Sequence, residues 1–262
     1  MLPSLFLSHG SPMLILSDTP ARRFLAGYGD ALPRPEAIVI VSAHYETRRP
    51  AALGVAAPRM IYDFGGFDPK LREIVYPAPG QPALAARVAA LLSDASLPAT
   101  VDTDWGYDHG TWVPLGLMYP RADIPVVAVS VQPHENAHHH FELGRALAPL
   151  RADNVLVIGS GSLTHNLGAI RTGAGRNPVE ADVPAWVVAF ADWMHARIGE
   201  GDIDALVDYR ARAPYAAENH PTDEHLMPLY AALGAAGPTG RGERVHTSHE
   251  YGALMMDAYA FH

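Results

Sequence analysis

Apolar residues recur along the chain in two rhythms. Short runs rich in β-branched residues, Ser4–Leu7, Ala37–Ser42, Leu53–Ala57, Ile124–Val131 and Val155–Ile158, are nearly continuous rather than alternating. That is the pattern of strands buried on both faces, in a sheet covered by helices on each side. Elsewhere the apolar positions fall at helical spacing. Ala83–Ser93 carries Leu84, Val88, Leu91 and Leu92, with Pro82 where a first-turn proline fits, and Phe141–Leu150, Ala185–Ile198 and Ile203–Ala211 keep the same period. Strands alternating with helices predict an α/β fold: a single three-layer α/β/α domain over residues 1–262, with a central mixed, largely parallel sheet. No internal repeat, low-complexity block or linker interrupts it.

Composition sharpens this picture in three ways. Only 18% of the 262 residues are charged, below the roughly 25% of an average soluble domain, so much of the chain is buried. The 23 glycines and 23 prolines predict structured loops, and two stretches stand out as aromatic and loop-rich: Met60–Gly80, with Tyr-Asp-Phe-Gly-Gly-Phe at 62–67, and Thr103–Pro114. The net charge of −9 without a basic run argues against nucleic acid as a partner. The apolar segment Ser4–Leu7 is too short for a signal-peptide core or a membrane span, so a cytoplasmic protein without membrane attachment is expected. The absence of cysteine removes disulfides, thiolate metal sites and a cysteine nucleophile, leaving His, Asp and Glu as candidate metal ligands.

Fourteen histidines direct attention to metal and acid–base chemistry. Three fall just past predicted strand ends: His9 in Ser-His-Gly-Ser-Pro, His44 in Ser-Ala-His-Tyr-Glu and His165 in Ser-Leu-Thr-His-Asn. One such residue alone is more often a loop histidine bonded to backbone. Three beside small residues, at the strand ends where α/β sheets hold their ligands, point to a shared site. His109, between glycines and aromatics in Gly-Tyr-Asp-His-Gly-Thr-Trp, is either substrate-facing or structural on local grounds. His220 and His225 are five apart, so a helix would point them in different directions and they would not share a metal; Thr222 is the expected N-cap, placing His225 in a first helical turn. His-Glu-Asn-Ala-His at 134–138 matches the zinc-protease pattern. However, Pro133 and a cap at Asn136 would leave His134 outside the helix that this mechanism requires. Gly-Ser-Gly at 159–161 begins like a dinucleotide loop but has Thr164 where the third glycine belongs.

Taken in order, Ser-His-Gly-Ser-Pro (8–12), Ser-Ala-His-Tyr (42–45), Tyr-Asp-Phe-Gly-Gly-Phe (62–67), Tyr-Pro-Ala-Pro-Gly (76–80), Gly-Tyr-Asp-His-Gly-Thr-Trp (106–112), Leu-Thr-His-Asn-Leu (163–167) and Pro-Thr-Asp-Glu-His-Leu-Met-Pro-Leu (221–229) resemble the class III extradiol ring-cleavage dioxygenases, in their 4,5-DOPA-dioxygenase-like branch. The resemblance implies a non-haem Fe(II) at the strand ends held by His9, His44 and His225, with His165 as acid–base residue and His109 lining the site. It also implies a small catechol and O2 as substrates and a muconic semialdehyde as product. The better-known enzymes of this class use two His and a Glu. Here His225 stands at the carboxylate position, and a three-His set also suits Zn. His165 as a fourth ligand, and a zinc-dependent hydrolase using a His-bound metal and water, are the competing readings. Glu46, Asp108 and Glu224 are the carboxylates expected nearby.

Overall fold

The computed structural model describes residues 1–172, 175–237 and 240–262. Among these, eight strands form one sheet: β1 (Ser4–Ser8), β2 (Ala37–Glu46), β3 (Ala51–Leu53), β4 (Thr100–Asp102), β5 (Val126–Val131), β6 (Val155–Gly161), β7 (Gly242–His246) and β8 (Ala258–Phe261), in the order β4-β3-β5-β2-β6-β1-β8-β7. The four central strands β5, β2, β6 and β1 are parallel neighbours. β3 runs antiparallel to β5 and parallel to β4, while β8 and β7 extend the other edge antiparallel. The sheet is therefore mixed and mostly parallel, as the sequence predicts.

Because side chains alternate across a strand, each continuous apolar run serves two layers. Val39, Val41, Val127 and Val129 pack on one side with α2 (Pro82–Asp94), α4 (Ala137–Leu147), α5 (Ala185–Glu200) and α6 (Met227–Ala235). Ile38, Ile40, Val126 and Ile158 pack on the other with α1 (Pro20–Ala31) and α3 (His109–Met118). Pro82 opens α2 and Asn136 caps α4 by accepting from the His139 N–H, both as expected.

Several expectations are corrected. The strand expected at 53–57 lies at Ala51–Leu53. The helix expected over 203–211 is two short pieces, Ile203–Val207 and Tyr209–Arg212, because Asp208 leaves helical geometry (φ −100°, ψ 24°) between them. The second half of the 103–114 loop is α3, whose first turn is capped by the Asp108 carboxylate accepting from Thr111 N–H. Neither α3 nor α6 shows a helical period in sequence, since nearly every position of each is buried. No helix among the described residues is long and apolar enough to cross a membrane.

Candidate active site

β2, β6 and β1 are consecutive in the sheet, so chain segments leaving their carboxyl ends start about 5 Å apart. His9 follows β1 directly, its N–H donating to the Gly161 carbonyl at 2.9 Å. His44 lies where β2 breaks register with β5: Ser42 faces Ser130, but the next pair is Glu46 with Val131. The extra residues on β2 form a bulge that turns the imidazole out of the pleat. His225 arrives from the segment before α6, pressed onto β6. A Cβ on Gly161 would stand 2.1 Å from the His225 carbonyl oxygen, and one on Gly159 would stand 1.9 Å from that of Pro228. Only glycine lets the two backbones lie this close, and the Ser162 N–H donates to the same His225 carbonyl at 2.8 Å. The Gly-Ser-Gly that opens like a dinucleotide loop is the seat of a histidine.

The three imidazoles converge. His44 Nε2 is 3.1 Å from His9 Nε2 and 3.2 Å from His225 Nε2, and one ring nitrogen from each of the three lies within 4.8 Å of the others. Two imidazole nitrogens bound about 2.1 Å from one ion stand roughly 3.0 Å apart at a right angle and roughly 3.4 Å apart at the tetrahedral angle. The two separations that His44 makes fall between these, as they would for ligands of one cation.

The outer nitrogens support this. His9 Nδ1 is 3.0 Å from Ser160 Oγ, and that hydroxyl already donates to the Gly110 carbonyl at 2.5 Å, so it must accept from His9. His44 Nδ1 faces Asp63 Oδ2 at 3.1 Å, and His225 Nδ1 faces Glu224 Oε1 at 3.0 Å. Each outer N–H given to an oxygen leaves a bare Nε2 for the centre. Burial, followed by repulsion from neighbouring imidazoles, pushes the pKa of His9 and His225 well below the usual histidine range, which favours the neutral ring that a metal requires. Two overlapping groups, His44/Asp63/His109 and His165/Glu224/His225, also have metal-ligand spacing. Each contains one of these outer hydrogen bonds, which accounts for its closeness.

His109 and His165 complete the crevice. His109, at the start of α3, holds its Nδ1 2.8 Å from Asp63 Oδ1, with its ring 3.8 Å from that of His44. Burial works against ionisation of Asp63, but the hydrogen bonds from His109 and His44 outweigh it and hold the carboxyl well below the usual carboxylate range. His165 stacks on His225 with ring centroids 3.4 Å apart and planes 11° from parallel. Burial, then the charge of His220, pushes its pKa down to about 3. These rings border a cavity of about 430 Å³ whose other walls include Phe64, Phe67, Ile170, Tyr251 and Leu254.

A family model described as the catalytic LigB subunit of aromatic ring-opening dioxygenase matches residues 3–262. The chain belongs to the LigB family. It is 40% identical over 260 residues to a 4,5-DOPA dioxygenase extradiol of Beta vulgaris, covering 98% of this chain and 95% of that one. It is also 42% identical over 238 residues to a protein of the same description from Escherichia coli K12, covering 89% and 85%. A crystal structure of an uncharacterized protein from Escherichia coli K12 superposes with a TM-score of 0.83 at 36% identity, covering 100% of both chains. The chain is thus an extradiol ring-opening dioxygenase of the LigB type, a family that depends on a metal.

The LigB crevice excludes several histidines. Asn136 caps α4 after His134, which is exposed, and neither His134 nor His138 lines the cavity. His140 is buried, donating from Nδ1 to the Asn136 carbonyl and accepting at Nε2 from Gln132 N–H. His220 is likewise buried, with Nε2 donating to the Leu163 carbonyl at 2.8 Å. Thr222 is not a helix cap: its hydroxyl donates to Glu224 Oε1 at 3.1 Å, and α6 begins at Met227, so His225 precedes the helix. Among the expected carboxylates, Glu224 does touch a site histidine, whereas Asp108 caps α3 and accepts from Ser42 Oγ at 2.6 Å. Asp63 and Ser160 were missed. Nothing in the sequence links Asp63 to His44 and His109, 19 and 46 positions away.

Proposed function

We propose that this protein is a non-haem Fe(II)-dependent extradiol dioxygenase that opens the ring of a small, DOPA-like catechol with O2, giving a muconic semialdehyde. In this reading His9, His44 and His225 hold the metal, His165 is the acid–base residue and His109 lines the substrate site. The observation that carries it is the set of three imidazole Nε2 atoms converging on one point beside an aromatic-walled cavity. The family match and the DOPA-dioxygenase relatives supply the reaction class and the kind of substrate.

When bound, the ion supplies a Lewis-acidic anchor for the diol oxygens and a route for electrons between the ring and O2. The chain supplies the rest. His9, His44 and His225 would hold the ion as neutral imidazoles, and the adjoining cavity would receive the substrate. Phe64 and Phe67 offer apolar surface to an aromatic ring. His165, which lines the cavity and stacks on His225, is placed to take a proton from a catechol hydroxyl and return it when the ring opens. Three nitrogen donors without a carboxylate also suit zinc, so zinc is expected in purified protein, without ring opening. Anaerobic reconstitution with Fe(II), followed by air and a panel of catechols, tests the proposal. A yellow ring-fission product supports it. Its absence, together with ester or peptide hydrolysis by the zinc-loaded protein, would replace it with a hydrolase.

A further inference from the structure

Among the described residues, Asp63 is the one carboxylate that reaches two crevice histidines. Oδ2 is 3.1 Å from His44 Nδ1, while Oδ1 lies 2.8 Å from His109 Nδ1 and also accepts the His109 backbone N–H at 3.2 Å. A carboxylate has no proton to give, so both imidazoles must donate to it. We propose that Asp63 is a shared positioning residue that sets the tautomer of both rings, Nδ1–H on His44 and on His109, so that one bare Nε2 is offered to the metal and the other to the substrate.

The consequence for His44 is a ligand whose lone pair points at the centre. The consequence for His109 is more specific. Its Nδ1 is tied to Asp63, so Nε2 is the ring nitrogen left for the cavity that His109 lines, and a bare Nε2 can only accept. His109 would thus receive a hydrogen bond from a substrate hydroxyl and could not donate one to an incoming oxygen. The loop that carries Asp63 also carries Phe64 and Phe67, so the apolar wall and the clamp are one piece of chain.

An asparagine at 63 would test this. Its amide offers one carbonyl oxygen, and its NH2 would face the N–H of one of the two rings. Two donors cannot pair, so that ring would have to change tautomer. The inference rests on His44 being a metal ligand, but its readouts need neither catechol nor O2. In zinc-loaded protein labelled with 15N-histidine, with the His109 ring assigned by its loss in His109→Gln, the wild type should show a proton on Nδ1 and an unprotonated, unligated Nε2. A proton on Nε2 of His109 would overturn the proposal without any variant having to fold. In Asp63→Asn, either zinc affinity falls about 10–100-fold or His109 moves to the Nε2–H form; both remaining as in wild type would also overturn it. Failure of ring cleavage with these signatures intact would count against the proposed reaction and leave the role of Asp63 standing.

Discussion

Replacing Gly161 by alanine should weaken metal binding without substituting any of the three histidines proposed to hold the metal. The added Cβ would stand 2.1 Å from the His225 carbonyl oxygen and 3.2 Å from both the His225 carbonyl carbon and Pro228 Cγ. Carbon–oxygen contacts settle near 3.3 Å or beyond, so the 225 segment must retreat by about 1 Å, and the obstructing atom is backbone that no rotamer change can move. Metal–ligand distances tolerate only about ±0.2 Å, so His225 would leave the donor set and zinc affinity should fall at least ~10-fold. The same retreat strains the Ser162 N–H bond to that carbonyl. Overpacking of this kind costs about 1–3 kcal/mol, less than the roughly 5–15 kcal/mol of a typical domain, so the variant should fold, with a melting temperature lower by up to about 10 °C. Chelator competition for zinc, with thermal unfolding of metal-free and zinc-loaded protein, reads both effects. Gly199 in α5 has nothing within 4 Å of its would-be Cβ, so Gly199→Ala should leave zinc binding alone and add up to about 1 kcal/mol of stability. Wild-type zinc affinity in Gly161→Ala would refute the argument that β6 seats His225.

Other expectations separate the roles of the histidines and probe the far edge of the sheet. His165→Ala should retain metal and lose ~10²–10⁴-fold in turnover, whereas His44→Ala should lose the metal; if both empty the site equally on metal analysis, His165 is a ligand. His134→Ala and His138→Ala should change neither metal content nor turnover, because neither ring reaches the crevice. Burial pushes the pKa of Asp257 up to about 6 despite Arg244 nearby. The folded state therefore holds this proton more tightly than the unfolded chain, and the stability that protonation brings is lost as pH rises from about 4 through 6. Asp257→Asn should accordingly be more stable than wild type at pH 8, by on the order of 1–3 kcal/mol, with the difference closing below pH 4; an equal gap in melting temperature at both pH values would refute this.

Legibility in the sequence followed exposure to a single physical signal. The central strands could be read because burial on both faces leaves an uninterrupted apolar run, and α2, α4 and α5 because each has a buried and a wet side. α3 and α6 carry nearly all-buried sequences, so no period marks them, and Pro114 inside α3 argues locally for a loop. β7 and β8 went unmarked because an antiparallel edge added from the C-terminus has short strands, and β7 is only partly buried.

For the site, a strand end accounted for His9, which directly follows β1; His44, expected just past a strand, lies inside β2, where the register break with β5 redirects the chain. His225 follows no strand; its placement depends on Gly159 and Gly161 admitting a distant backbone onto β6. The outer partners were hardest to foresee, because a hydrogen bond from an imidazole can end on any nearby oxygen. Here they are a serine on β6 already committed to a carbonyl, an aspartate from an aromatic loop and a glutamate adjacent in sequence. That variety has a consequence for the metal. A ligand whose outer N–H meets a carboxylate is more basic than one whose outer N–H meets a hydroxyl, so His44 and His225 should be the stronger donors and His9 the weaker. The positive charge of the ion would then be offset through Asp63 and Glu224, one imidazole away, rather than by a carboxylate in direct contact.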